Sequence, residues 1–346
     1  MISVEVIDPL GDSRWLAVEA LPGAALYHSQ AWARVIAATY GFAPRYYVAS
    51  AQGKVIGGLP GFELGGLWRG RRWVSLPFSD AGGPVGGANA VSALLAAALR
   101  DAGERNWRAL EVRGALADSA RTQLAETLHN DSYLLSLERP LHLLERAFSD
   151  SVRWGRKRAL RAGVSVAQAA DLPALREFYR LHQITRRRLG VPVQSWRFFE
   201  LLGREFLARD AGFVVTARHG GRAIASAVFL RFGACLYYKF SAADPRRLEV
   251  QPNSLVLWRA IAWAKSADLA ALDLGKTVRE NAGLARFKRS WGAVAQPLPY
   301  YYFPRVTGVG AQSEDSARLR AIRAVWRHLP LAVTRWLGGW MYRVLA

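Results

Sequence analysis

Two stretches of the chain repeat one order of apolar and polar positions. In the first, RYYVAS, a turn AQG and KVIGGLPGFEL predict a β-hairpin over 45–64. A strand-like RRWVSLPF, a glycine-rich DAGGPV, a helix-patterned VSALLAAALRDAG and a strand WRALEVRG follow. In the second, GFVVTAR, a turn HGG and RAIASAVFLRF predict another hairpin over 212–232. A strand ACLYYKFSAAD, a helix SLVLWRAIAWAKSADL and a strand AALDLGK follow. Apolar runs on either side of a short glycine turn are a hairpin signal. Strand, turn, strand, strand, loop, helix, strand thus occurs twice, and the chain reads as an internal duplication.

Helices precede each hairpin. Ser29 can cap QAWARVIAATYG, where Trp32, Val35 and Ile36 share a face. LPALREFYRLHQITRRRLG sets Leu172, Leu175, Phe178 and Leu181 on one stripe, and RFFELLGREFLARD adds Phe199, Leu202 and Phe206. The expected class is α/β, a mixed α+β sandwich. Each of two similar domains has a central, mostly antiparallel sheet flanked by helices. Their expected spans are 1–145 and 146–305, with a basic amphipathic helical segment at 313–346. The joining segment RPLHLLERAFSDSVRWGRKRALRAG carries Arg146, Arg153, Arg156, Lys157, Arg158 and Arg161. A solvated helix face and an anion-binding surface are both open readings of it.

Length and charge sharpen this picture. At 346 residues and 51% hydrophobic, the chain exceeds what one core commonly spans. Lys and Arg outnumber Asp and Glu by 47 to 27, a net charge of +20. That excess favours an anionic partner: a nucleic acid, an acidic membrane surface or a phosphorylated substrate. The single cysteine, Cys235, excludes a disulfide scaffold. Lying within AVFLRFGACLYY, it reads as a buried structural thiol rather than a nucleophile. The six histidines are scattered without metal-ligand spacing, and no Walker A or dinucleotide fingerprint occurs.

The first twenty residues lack the basic start and apolar run of a signal peptide, and no run reaches the roughly 18 apolar residues of a spanning helix. The expected location is cytoplasmic, peripheral at the inner face of the membrane. SARLRAIRAVWRHLPLAVTRWLGGWMYRVLA motivates the membrane contact. Leu319, Ile322, Trp326 and Leu329 share a face opposite Arg320, Arg323 and Arg327. After Pro330, Val333, Trp336, Leu337, Trp340, Met341 and Val344 repeat the pattern. Arg and Trp on short amphipathic helices suit an anionic membrane interface. Docking on the protein itself, or on a dimer partner, is the alternative.

YHSQAW, the KVIGGLPGFEL to VSLPFSDAGGPV stretch, RRRLGVP, YYKFSAAD, QPNSLVLWRAI, LDLGK and GLARFKRSWGA occur in that order between residues 25 and 303. On these the chain resembles the FemAB-like, FemX-type branch of the GNAT acyltransferase superfamily, where two such domains are fused. The resemblance implies attack of an amine on a thioester or ester carbonyl, forming an amide. The acceptor amine would belong to a cell-envelope precursor or a surface polysaccharide. No permanently bound cofactor is implied; acyl-CoA or aminoacyl-tRNA would be the co-substrate. Acetyl-CoA-using relatives carry a Q/R-x-x-G-x-G/A loop before the helix that meets the carrier's phosphates. Here that place reads Gln251-Pro252-Asn253-Ser254 without glycines, so aminoacyl-tRNA gains weight as donor.

Site residues follow from the matched motifs. In RFKRSWG, Lys288 would stabilise the developing oxyanion and Phe287 would stack on the donor or close the groove; alternatively Phe287 and Trp291, four apart, face the core. In YYKFSAAD, Tyr238 and Asp244 are candidate proton carriers and Lys239 and Ser241 candidate donor ligands. The alternative is core tyrosines and an Asp244-Pro245 turn. Asp273 would orient Lys288 or accept a proton, and Gly275 would permit close approach of the donor. Gln251, Asn253 and Ser254 would meet the donor, or simply cap a helix. Asp80, Gly82, Gly83 and Arg187 are the acceptor-side candidates. Two other classes stay open: a nucleic-acid-binding module, and a non-catalytic membrane scaffold retaining the fold.

Overall fold

The alternating and helical patterns resolve, in the computed structural model, into two compact units. Residues 1–65, 70–116, 123–304, 324–331, 333–334, 337–338 and 341–342 are described. Unit 1 comprises Met1–Asn130 and the stretch from Pro297; unit 2 comprises Asp131–Gln296 and the described C-terminal residues up to 342. Compared with a cut at 145/146, residues 131–145 lie in unit 2, where Leu135, Leu137 and Leu144 join its core.

Unit 1 runs β1 (Ile2–Ile7), α1 (Arg14–Glu19), α2 (Gln30–Tyr40), β2 (Ala43–Pro44), β3 (Tyr46–Ala51), β4 (Lys54–Leu59), β5 (Phe62–Leu64), β6 (Arg72–Val74), β7 (Val85–Gly86), α3 (Ala88–Glu104) and β8 (Ala109–Arg113). One sheet has the order β1-β3-β4-β7 and is antiparallel throughout. Gln52 and Gly53 close its central hairpin with φ of 50° and 74°. Two left-handed turn residues match the twist of the flanking strands. Ala90, Leu94 and Ala98 of α3 pack with Tyr47, Ala49 and Leu59 in a common core. The strands β5, β6 and β8 pair in another sheet.

The expected KVIGGLPGFEL strand breaks at Pro60-Gly61 into β4 and β5. Pro60 cannot donate to a ladder. Gly61 lies so close to Trp73 that an added Cβ would fall 2.0 Å from the ring. The strand paired to β4 is therefore the two-residue β7 in the glycine-rich run, and RRWVSLPF supplies only β6.

β9 (Ala125–Ser136) leads the chain into unit 2. There follow α4 (Leu141–Ala147), α5 (Asp150–Arg161), β10 (Ser165–Ala169), α6 (Leu172–Leu189), α7 (Trp196–Glu205), β11 (Gly212–His219), β12 (Arg222–Phe232), β13 (Cys235–Ala243), α8 (Pro252–Ser266), β14 (Ala271–Val278), α9 (Ala282–Ser290) and β15 (Val294–Phe303). The end of β15 belongs to unit 1, where its residues 300–303 pair with β8. Asp171 caps α6 through the Ala174 amide at 2.8 Å, and Gly190 ends it at φ 70°. The unit 2 sheet runs β10-β11-β12-β13-β14, antiparallel until the last, parallel pair. Gly220 and Gly221, φ 56° and 75°, close the β11–β12 hairpin as Gln52-Gly53 closes its counterpart. Leu255, Leu257, Ile261 and Ala264 of α8 bury against this sheet.

Of the amphipathic C-terminal segment, Leu319, Arg320, Ile322, Arg323, Trp336, Trp340 and Val344 lie outside the described residues. Some of the described ones pack on unit 2, while Val325 and Val333 are exposed. Trp326, Thr334 and Tyr342 are buried. Tyr342 Oη accepts from Arg186 at 2.8 Å, and an added Cβ on Gly338 would lie 2.4 Å from the Val193 carbonyl. No helix among the described residues is long and apolar enough to cross a membrane.

Candidate active site

Parallel strands β13 and β14 pair over only three positions, Cys235 to Ala271, Leu236 to Leu272 and Tyr237 to Asp273. Beyond these, Tyr238–Ala243 and Leu274–Val278 have no pairing with each other among the described residues. The strands part there. Tyr238 and Asp273 stand beside the point of parting.

Lys288 is only 3% exposed although it lies on α9. Its Nζ donates to the carbonyls of Gly275 at 2.7 Å and Lys276 at 3.0 Å, and sits 5.2 Å from the centroid of the buried Tyr133 ring. A buried ammonium needs such partners, because desolvation otherwise penalises its charge. Gly275 takes φ 74°, which turns the strand end, and its amide donates to Asp273 Oδ1 at 2.6 Å. Asp273, Gly275 and Lys288 thus form one connected group.

Tyr238 stacks on Phe229 at 5.2 Å, and burial pushes its hydroxyl up, partly offset by a hydrogen bond with Ser241. It is therefore protonated at neutral pH and can donate a proton. A register shift pairs Val228 with Phe240 and Phe229 with Tyr238, which leaves Lys239 as the bulged residue. Bulges re-aim side chains next to sites. Lys239 Nζ lies 5.6 Å from the Phe240 ring centroid, and Ser241 is exposed.

Asp244 is not gathered into this group. Both its oxygens bind Arg246, and Oδ1 also accepts from the Arg246 amide at 3.0 Å. Those bonds hold its carboxyl below the usual range. It opens a turn, as the alternative reading of Asp244-Pro245 has it. Phe287 is half-buried and meets Trp291 edge-on at 6.5 Å, against the core. At the start of α8, Pro252 and Ser254 are buried while Gln251 and Asn253 are half-buried. Ser254 faces α5 so closely that an added Cβ on Gly155 would lie 2.7 Å from its hydroxyl. Packing accounts for Ser254.

The acceptor-side candidates divide between the units. Arg187 is half-buried on α6 in unit 2. In unit 1, Asp80 Oδ2 accepts from Tyr27 at 2.7 Å and its carbonyl accepts from Tyr300 at 2.8 Å. The Gly82 amide donates to Arg113 O at 3.0 Å, and the Gly83 carbonyl lies 2.9 Å from His28 Nε2. Leu76 and Phe78 adopt φ of 59° and 62° just before this loop. Non-glycine residues hold such angles only where surrounding contacts determine them.

Sequence reasoning passed over Tyr133, Thr277 and Arg113. Tyr133 sits in an alternating YLLSL run that reads only as strand, and Thr277 Oγ1 on β14 is buried without a hydrogen-bond partner. Arg113 pairs with Glu111 at 2.7 Å and supports the Ser79 carbonyl at 2.9 Å; Glu-x-Arg at strand spacing was the available signal. Cys235 is half-buried, and burial followed by the charge of Asp273 pushes its thiol up to about 12.

Residues 146–289 match the family model described as an acetyltransferase (GNAT) domain. No curated protein sequence matches the chain. Among solved structures, FemX is similar with a TM-score of 0.69 at 14% identity, over 86% of this chain and 96% of that one. The C-terminal domain of a putative lysylphosphatidylglycerol synthetase from Agrobacterium fabrum gives 0.55 at 12%, over 84% and 92%. A tandem GNAT protein from the clavulanic acid biosynthesis pathway gives 0.51 at 13%, over 87% and 98%.

Proposed function

From a GNAT/FemX-like fold as premise, in which residues 146–289 match a GNAT acetyltransferase domain, we propose that this acyltransferase-type chain joins an acyl or aminoacyl group to an amino group. A nitrogen–carbon bond forms, the carbonyl's bond to the donor's sulfur or oxygen breaks, and the amine proton ends on the leaving group. One observation carries the reading: a buried ammonium, Lys288, fixed against the carbonyls of Gly275 and Lys276 where β13 and β14 part. A carbonyl carbon seated there gains negative charge on its oxygen in the transition state. A fixed cation in a poorly hydrated place lowers that barrier by about 3–4 kcal/mol. Tyr238, kept protonated by burial, returns a proton to the departing group. Asp273 holds the turn at Gly275 and thereby the cation's position.

The donor is an aminoacyl-tRNA rather than acetyl-CoA. QPNSLV at the α8 terminus has no glycines to let a backbone approach pyrophosphate, and α5 packs on Ser254. The acceptor is an amine of an envelope precursor or surface polysaccharide, met at an anionic membrane surface; the +20 charge supports both polyanionic partners.

The test is a product assay. The full chain is incubated with amine acceptors and either charged tRNA or acetyl-CoA, and amides are read by mass spectrometry. Amide formation with charged tRNA alone supports the full reading. Turnover with acetyl-CoA alone overturns the donor, and no amide with either overturns the activity.

A further inference from the structure

The corner between α4 and α5 forms an open cavity of about 550 Å³, lined chiefly by His142, Glu145, Arg146, Arg153, Arg156 and Lys157. None of the candidate active-site residues lines it. Its one carboxylate is already committed, because Glu145 binds Arg156 at 2.6 Å. The Arg156 guanidinium also lies 3.6 Å from the Trp258 ring centroid, so it is fixed from two directions, and its buried Nε–H has no acceptor. Arg153 is held by Asp150 at 2.5 Å and by the carbonyls of Arg146 and Phe148. Arg146 and Lys157 have no acidic partner among the described residues.

Cations that line one concavity repel one another, and an anion placed among them removes that cost. Guanidinium forks match phosphate oxygens two at a time, and an ammonium adds a compact point charge. The volume falls within the range of small-molecule sites. We propose that the α4–α5 cavity is a binding site for a phosphoryl or pyrophosphoryl group. The same corner braces α9. The Ser149 amide donates to Ser290 O at 2.9 Å, and Phe148 meets Trp291 at 5.1 Å. A ligand gripped there is held by the segment that supports the helix of Lys288. Trp154 on α5 is 54% exposed and Leu143 on α4 is 39% exposed. The phosphoryl group therefore has two sources, a soluble phosphorylated molecule or the headgroup of an anionic lipid.

The full chain is titrated calorimetrically with sodium pyrophosphate and, separately, pelleted with vesicles of phosphatidylglycerol or of phosphatidylcholine. The double variant Arg146→Gln, Lys157→Gln is compared with Arg204→Gln, an exposed arginine on α7. The expected result is saturable binding weakened about tenfold or more by the double variant and unchanged by Arg204→Gln. Pyrophosphate binding without vesicle pelleting assigns the soluble source. Pelleting by phosphatidylglycerol alone, lost in the double variant, assigns the lipid. The proposal is overturned if neither probe binds, if binding survives the double variant, or if Arg204→Gln weakens it equally. Should the double variant melt early, Lys157→Glu alone, reversing one exposed charge, repeats the comparison with the same outcomes.

Discussion

Lys288 Nζ and the carbonyl of Gly275 are 2.7 Å apart, and the amide of that same glycine donates to Asp273 at 2.6 Å. One left-handed residue therefore joins a buried cation to a carboxylate. The cation's position depends on the turn, and the turn depends on the carboxylate. This couples a strand end, a helix and a charge into one unit at the place where two parallel strands part.

Replacing Lys288 by Met keeps most of the apolar stem and removes the charge. Turnover is expected to fall by roughly 100-fold or more, as for loss of one oxyanion donor. Stability should drop by about 1–3 kcal/mol, since two carbonyls lose a buried donor. Steady-state rates taken well below the variant's own Tm separate the two effects. Full turnover in the folded variant removes Lys288 from the chemistry.

Tyr238→Phe retains the stacking on Phe229 and deletes only the hydroxyl. We expect kcat to fall about 100-fold or more, the usual weight of a general acid, with little change in Tm. Asp244→Asn should leave turnover unaltered, because that carboxylate already serves Arg246 and its turn. A reversed pattern, with Asp244 essential and Tyr238 dispensable, would return the proton transfer to Asp244.

His182 is buried between Phe178, Phe199 and Phe240, with Nε2 on Gln194 at 3.0 Å. Burial, reinforced by the charge of Arg186, takes its pKa down to about 3. Its folded pKa is thus below the unfolded one, near 6.5. Stability is present above pH 6.5 and is lost as pH falls toward 3, because only the unfolded chain takes up the proton. The loss is about 1.4 kcal/mol per pH unit at most for this group. Buried His28, shifted the same way, adds to it. Urea unfolding from pH 7 to pH 4 should show the decline, and His182→Gln should flatten it. Equal slopes in both proteins would show that His182 does not carry the linkage.

The hairpins at 45–64 and 212–232 were legible because strand alternation and a glycine turn are local properties, and the turn residues take the expected positive φ. β7 was not, since two residues carry no periodicity, and the break after β4 arises from Trp73, a neighbour distant in sequence. The same holds at the site. Phe287 and Trp291, four apart, announced a helix face, and that face packs inward. Lys288 stood out in RFKRSWG by its motif, but its burial was not legible, because packing against backbone carbonyls leaves no trace in side-chain spacing. The close approach of Gly155 to Ser254 joins segments about a hundred residues apart. The C-terminal segment shows the limit most plainly: Arg and Trp on one short helix read as a membrane-surface element with a docked helix as the alternative, and only tertiary contacts separate the two.

Those contacts lead to the last expectation. Trp326 and Tyr342 are buried, Arg186 donates to Tyr342 Oη at 2.8 Å, and Gly338 abuts the Val193 carbonyl. Deleting residues from 324 onward would uncover apolar surface on unit 2 and leave the Arg186 side chain without Tyr342. Burying one large apolar side chain contributes about 1.5–3 kcal/mol, so the truncated chain should melt several degrees lower. Gly338→Val supplies the finer test, because its branched side chain cannot fit beside Val193 and should reproduce much of that loss. If the segment is a docked element, neither change alters pelleting with phosphatidylglycerol vesicles. If instead Tm stays constant while pelleting is abolished, the segment leaves unit 2 to engage the membrane, and the contacts with Arg186 and Val193 contribute nothing to stability.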